Sequence, residues 1–215
     1  MTRVVAIDGP GGSGKSSVSR AAAERIGWAH LDTGAFYRAA TLLVLRADVD
    51  PASAAAVLDV LRPHRFEYAG GCMSIDGEDV SKAIREDDVT GAVSAVSAHP
   101  PVRTWMVRLQ RLWAAARTGS VVEGRDIGTV VFPQACLKVF LTADPEERAR
   151  RRAGETGGTV HSVEAALERR DRLDSTRISS PLTPAEDARV IDTTTMSLDQ
   201  VIENVVTAVA EGCLP

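Results

Sequence analysis

The sequence predicts an α/β fold, a parallel sheet covered by helices on both faces. Three observations predict it. Short β-branched apolar runs alternate with helical stretches along the chain, as consecutive βαβ units do. The first run, Val4-Val5-Ala6-Ile7, leads into Gly9-Pro10-Gly11-Gly12-Ser13-Gly14-Lys15-Ser16, which fits the pattern G-x-x-x-x-G-K-[ST] at every required position. And 215 residues suffice to bury a full core as one domain with a small insert.

The glycine loop justifies the element that follows it. Ser16 to Arg25 reads as a helix with Val18, Ala22 and Ile26 on one face. Strand, glycine loop and helix together form a phosphate cradle. Glycines let backbone N–H groups turn toward phosphate oxygens, and the helix N-terminus adds partial positive charge. Lysine occurs only at 15, 82 and 138 in a chain that otherwise uses arginine, so Lys15 marks a place where a compact ammonium is wanted. Trp28-Ala29-His30-Leu31 reads as a second strand, ended by Asp32-Thr33-Gly34, and a helix follows through Tyr37, Arg38, Leu42, Leu43 and Leu45. Ala52 to Leu61 forms a short helix before Pro63. Arg65-Phe66-Glu67-Tyr68 and Cys72-Met73-Ser74-Ile75, split by Gly70-Gly71 and followed by Asp76-Gly77, have the grammar of an antiparallel hairpin running into a helix near Glu86 to Ala98.

Pro101 opens a long helix to about Arg117, with Val102, Trp105, Met106, Leu109, Leu112 and Trp113 spaced as a core stripe. Arg103 in its first turn opposes the macrodipole, which is tolerated at the surface or explained by a ligand. Ser120-Val121-Val122 leads into Glu123-Gly124-Arg125-Asp126-Ile127-Gly128, and Leu137 to Leu141 is the next strand. Asp144-Pro145-Glu146-Glu147 supplies an N-cap, a proline at the first helical position and a capping-box glutamate. The helix it opens is very basic, with Arg148, Arg150, Arg151 and Arg152. Gly154 to Thr159, with three glycines, is expected as a mobile loop before a second polar helix from Ser162 to about Asp174. Arg189 to Asp192 is the last strand, and Ser197 to Gln200 is a capping box opening the C-terminal helix.

Composition excludes several classes. A net charge of −4 argues against a general nucleic-acid binder. No apolar run approaches the ~18 residues of a membrane span, and the early first strand leaves no room for a signal peptide. Cys72, Cys136 and Cys213 are odd in number and widely spaced, fitting neither a disulfide framework nor a zinc site, so a cytoplasmic protein is expected. His30, His64, His99 and His161 show no metal-ligand spacing. A guanine-reading N-K-x-D motif is absent, since the sole asparagine is Asn204.

Charge narrows the chemistry. A nucleoside triphosphate and a phosphorylated acceptor bring roughly six negative charges, so phosphoryl transfer needs several cations besides Mg²⁺. Arg38, Arg125, Arg151, Arg152, Arg170 and Arg177 sit in loops, at helix starts or in the glycine-hinged helix pair. That pair can act as a lid that brings cations in and keeps water from the γ-phosphoryl group.

Ile7-Asp8-Gly9-Pro10, Leu31-Asp32-Thr33-Gly34-Ala35-Phe36-Tyr37-Arg38, the block Glu123 to Pro133, Arg170-Asp171 and Asp174-Ser175-Thr176-Arg177 resemble, in order and across essentially the whole chain, the bacterial cytidylate kinases. The insert at 64 to 92 matches the extra segment of that family. The resemblance implies a P-loop kinase fold with a five-stranded parallel sheet, a small antiparallel insert and a helical lid. It divides the chain into core at 1–31, 99–145 and 179–215, a nucleoside-monophosphate-binding region at 32–98 and a lid at 146–178. It implies transfer of the ATP γ-phosphoryl group to CMP or dCMP with Mg²⁺, by a monomer needing neither nucleic acid nor membrane. UMP or shikimate is the alternative acceptor.

The same resemblance assigns residues. Gly9, Pro10, Gly11, Gly12, Ser13, Gly14, Lys15, Ser16 and Ser17 hold ATP, with the Ser16 hydroxyl on Mg²⁺. Lys15, Arg125, Arg151 and Arg177 are catalytic cations, and Arg152 is a second lid arginine. Arg38, Arg125 and Arg177 hold the acceptor phosphate, while Asp174 and Arg170 meet the sugar with Thr33 and Tyr37 close by. Ser94, Arg103 and Asp126 read cytosine, where a carboxylate accepts from the exocyclic amine and faces uracil's oxygen unpaired.

Overall fold

The computed structural model describes residues 3–177 and 179–213; residue 178, at the end of the expected lid, and the termini 1–2 and 214–215 lie outside them. The apolar runs form the expected sheet: β1 (Arg3–Asp8), β2 (Ala29–Asp32), β6 (Gly119–Gly124), β7 (Leu137–Thr142) and β8 (Arg189–Asp192) in the order β2-β6-β1-β7-β8. β1 lies parallel to both β6 and β7, with Arg3 opposite Gly119 and Asp8 opposite Gly124. Buried on both faces, β1 needs its continuous apolar run.

The chain falls into two compact units, 1–30 with 114–215, and 31–113. In the first, α1 (Lys15–Ile26) and α8 (Leu198–Gly212) pack on the sheet, where Val5, Ile7, Val18, Val121, Val139, Val205 and Val209 form one core. Ser197 and Gln200 make the expected reciprocal cap. α6 (Pro145–Thr156) and α7 (Val160–Ser175) pack against each other. The second unit holds α2 (Thr33–Arg46), α3 (Ala54–Leu61), a three-stranded antiparallel sheet β3-β4-β5 (Phe66–Ala69, Cys72–Ile75, Glu78–Asp79), α4 (Asp87–Ala98) and α5 (Pro100–Ala115). Phe36 stacks on Phe66, Trp105 meets Phe66 edge-on, and the Trp113 indole N–H donates to the Tyr68 carbonyl. Among the described residues no helix is long and apolar enough to cross a membrane.

Four local expectations are corrected. Leu112 is 58% exposed rather than in the α5 stripe; the buried face runs through Val102, Arg103, Met106, Gln110 and Ala114. Gly154 does not open a loop, because α6 continues to Thr156 and stops where Gly157 takes the left-handed conformation that favours glycine. Glu147 forms no capping box: its carboxylate goes to Arg150 and Arg151 one turn on, while Asp144 caps the N–H of Glu146. Finally, Cys136 and Cys213 form a disulfide with their Cα atoms 5.4 Å apart, leaving Cys72 as the exposed thiol. A separation of 77 residues hid the pairing, which arises because α8 returns its last turn to the start of β7. The cysteines therefore no longer argue for a reducing compartment.

Candidate active site

The phosphate loop joins β1 to α1. Gly14, in the left-handed conformation, is the N-cap of α1 and places no side chain over the first-turn N–H groups, and that turn carries no acid. The result is a cluster of donors at the positive end of a helix. Gly9 is required for a second reason: a Cβ there would stand 2.2 Å from the Leu141 carbonyl oxygen. Lys15 Nζ donates to the Pro10 carbonyl at 3.0 Å, and so does the buried Ser13 hydroxyl.

Glu123, at the end of neighbouring β6, was not singled out from the sequence. Its Oε2 accepts from the Ser16 hydroxyl at 2.6 Å and its Oε1 lies 3.1 Å from His30 Nε2. Because a carboxylate only accepts, Nε2 carries the imidazole proton. Burial pushes the Glu123 carboxyl up, but the His30 hydrogen bond, the Lys15 charge and the Ser16 hydroxyl outweigh it and hold the group below the ordinary glutamate range. An ionised, buried carboxylate beside a phosphate-loop hydroxyl is an all-oxygen donor pair, which suits a hard divalent cation.

The segment after Glu123 is fastened to the phosphate loop. Arg125 donates from Nη1 to the Gly9 carbonyl at 2.6 Å and from Nε to Asp174 Oδ2 at 2.8 Å. Asp174, on α7, also pairs with Arg177. The structure thus brings Arg125, Asp174 and Arg177 together as one ionic cluster. Asp126 follows, buried, and starts a widened turn at 127–131 in which Val131 and Phe132 donate five residues back. Asp8 caps that turn from β1: its two oxygens accept the N–H groups of Ile127 and Gly128, each at 2.8 Å. Burial, with the adjacent Asp126 charge, raises the Asp8 carboxyl to about 6 against the two backbone donors and Lys15.

The arginines of α6 separate into two kinds. Arg148, which the sequence left unassigned, is buried; it donates to the carbonyls of Gly11 and Ala143 and pairs with Asp171, whose other oxygen accepts the Gly11 N–H at 3.0 Å. Arg151 reaches the Thr193 hydroxyl and carbonyl at 3.0 and 2.7 Å. Arg150 and Arg152 instead pair with Glu146, Glu147 and Glu155 on their own helix. Arg170 is half-buried on α7. The signal that could have found Arg148 is its spacing: with Arg151 it lies on one face of α6, three residues apart.

In the second unit, Asp32 caps α2 through the N–H of Ala35, and α2 buries Thr33, Tyr37 and Arg38. Arg38 donates to the Thr90 hydroxyl at 2.8 Å and to the Ile84 carbonyl. Arg103 is buried, not a surface cation: its guanidinium lies 5.2 Å from the Tyr37 ring centroid and donates to the Ser97 carbonyl. Ser94 is half-buried on α4, its carbonyl accepting from the Ser97 hydroxyl. Tyr37 and Arg103 are therefore brought together, while Arg38, the next residue on α2, is held by Thr90 and Ile84.

The family model described as cytidylate kinase matches residues 5–211. The chain is 51% identical to a cytidylate kinase of Mycobacterium leprae (strain Br4923), over 97% of this chain and 96% of that one. It is 52% identical to a cytidylate kinase of Nocardia farcinica (strain IFM 10152), over 97% and 94%. A solved shikimate kinase from Acinetobacter baumannii, in complex with shikimate, superposes with a TM-score of 0.52 at 13% identity, covering 100% of this chain and 97% of that one, a likeness of fold alone.

Proposed function

The chain belongs to the cytidylate kinase family, and from that premise we propose that it transfers the γ-phosphoryl group of ATP to CMP or dCMP, assisted by Mg²⁺, as a cytoplasmic monomer. The observation that carries the reading is the segment Glu123–Asp126. It hangs an acid on Ser16 and a guanidinium on the Gly9 carbonyl, and it ends in a buried carboxylate, Asp126. One short stretch so supplies groups for a cation, a phosphate and a base.

In this reading the loop from Gly9 to Ser17 cradles the donor phosphates, and Lys15 swings from the Pro10 carbonyl to the transferring oxygens. Ser16 and Glu123 would hold Mg²⁺, which when bound neutralises charge on the donor phosphates. Arg38, Arg125 and Arg177 take the acceptor phosphate, Asp174 and Arg170 the sugar with Thr33 and Tyr37, and Ser94, Arg103 and Asp126 the base. Asp174 preorganises Arg125 and Arg177 before substrate arrives, so less side-chain entropy is lost on binding. Arg151 stabilises charge as it develops, and α6 and α7 keep water from the γ-phosphoryl group.

A coupled ADP-release assay with CMP, dCMP, UMP, AMP and shikimate tests the proposal. CMP and dCMP are expected well ahead; a preference for UMP or shikimate overturns it.

A further inference from the structure

The turn that begins at Asp126 lacks a cap of its own. Asp126 makes no side-chain bond to the first N–H groups of the 127–131 turn. Two adjacent backbone donors are left, both buried, and a buried donor left unpaired is costly. Asp8 takes both, from a strand 119 positions away in sequence. Only a carboxylate can do this. An asparagine of the same shape has one acceptor oxygen and would aim an NH₂ group at the second N–H.

The register explains the reach. Asp8 lies opposite Gly124, so the chain leaving β6 at Gly124 folds back across the end of β1. Arg125 and Asp126 are thereby pinned on both sides, by Arg125 on the Gly9 carbonyl and by Asp8 on Ile127 and Gly128. A residue between two fixed points has little freedom of its own.

We propose that Asp8 is a positioning residue for nucleobase selection: by capping Ile127 and Gly128 it aims Asp126 at the base of the acceptor. This deepens the reading above and rests on Asp126 facing that base. The charged groups around Asp8 are consistent with an ionised cap at neutral pH: Lys15 on α1 favours the charge, while Asp126 opposes it.

The test is the ratio of kcat/KM for CMP to that for UMP, in wild type, Asp8→Asn and Asp126→Ala. The substrates carry the same phosphate, so its ionisation cancels in the ratio. Asp126→Ala is expected to narrow the ratio roughly 10- to 100-fold. Asp8→Asn is expected to narrow it about 10-fold, since a small misplacement is nearly as damaging as removal. KM for CMP should rise while KM for ATP stays within about twofold. Asp8→Ala and amide exchange over residues 125–132, fast in the variants and slow in wild type, report on the turn if one variant folds poorly. If Asp126→Ala narrows the ratio and Asp8→Asn does not, the proposal fails alone. An unchanged ratio in Asp126→Ala overturns the reading of the base and the proposal with it. A rise in KM for ATP equal to that for CMP shows a role confined to the phosphate loop and also overturns it.

Discussion

Holding a carboxylate ionised at Asp8 works against folding, and the sign can be followed. Its folded pKa of about 6 lies above the unfolded value near 4, so between those pH values the folded state binds more protons. Its contribution to stability is whole below about pH 4 and lost as pH rises to about 6, a change of roughly 3 kcal/mol. Asp8→Asn does not titrate. The unfolding free energy of wild type minus that of the variant should therefore fall by up to about 3 kcal/mol between pH 4 and 6.5, as urea titrations would show. A pH-independent difference would mean the carboxyl is not raised. At this scale the sequence was legible where spacing is local. Lys15 and Ser16 stand out because the glycines that position them are neighbours in the chain. Asp8 and Glu123 act on groups 119 and 107 positions away, and no local pattern announces such contacts. The same applies to Asp171, which reaches Gly11 across 160 positions.

Elements were easier to read than their ends. Capping chemistry placed the starts of α6 and α8, because serine, aspartate and proline act within one turn. Glycine misled at α6, where Gly154 sits inside the helix and only Gly157 stops it; the backbone conformation, not the residue count, decides. The stripe on α5 was shifted for a related reason. A 3.6-residue period fits two neighbouring faces, and burial of Arg103 and Gln110 selects the one that leaves Leu112 outside. The Cys136–Cys213 bridge is the element-scale feature with the plainest consequence, since it staples α8 to β7. Denatured protein prepared without reductant should titrate one thiol, Cys72, and three after reduction. Cys213→Ser should lose up to about 4 kcal/mol of stability in oxidising buffer, as chain entropy predicts for so long a loop. In dithiothreitol it should match the reduced wild type. Three titratable thiols before reduction would rule the bridge out.

For the whole molecule, alternation of strand and helix conveyed the fold class, and the hairpin grammar set off the small antiparallel sheet. Strand order was not legible from periodicity, because β1 finds its neighbours across more than a hundred residues. Buried charge also belongs to this scale: Asp8, Arg38, Arg103, Glu123, Asp126, Arg148 and Asp174 are all buried. Such groups burden stability in proportion to their number and are kept where phosphates must be met. Ligand binding should therefore be visible in the melting temperature. CMP at a hundred times its Kd adds about 2.7 kcal/mol, which for a chain of this length raises Tm by roughly 5–10 °C. Lys15→Ala separates this from catalysis. Its ammonium lies outside the core cluster but favours the charges of the buried Asp8 and Glu123, so the apo melting temperature should fall modestly while the CMP shift is kept. The ATP shift should shrink and kcat should fall about 10²- to 10³-fold, the scale of one lost charge-stabilising donor. Near-normal turnover would remove Lys15 from the reaction. Loss of the CMP shift along with the ATP shift would mean that the loop and the acceptor residues melt together, and that their division of labour is wrong.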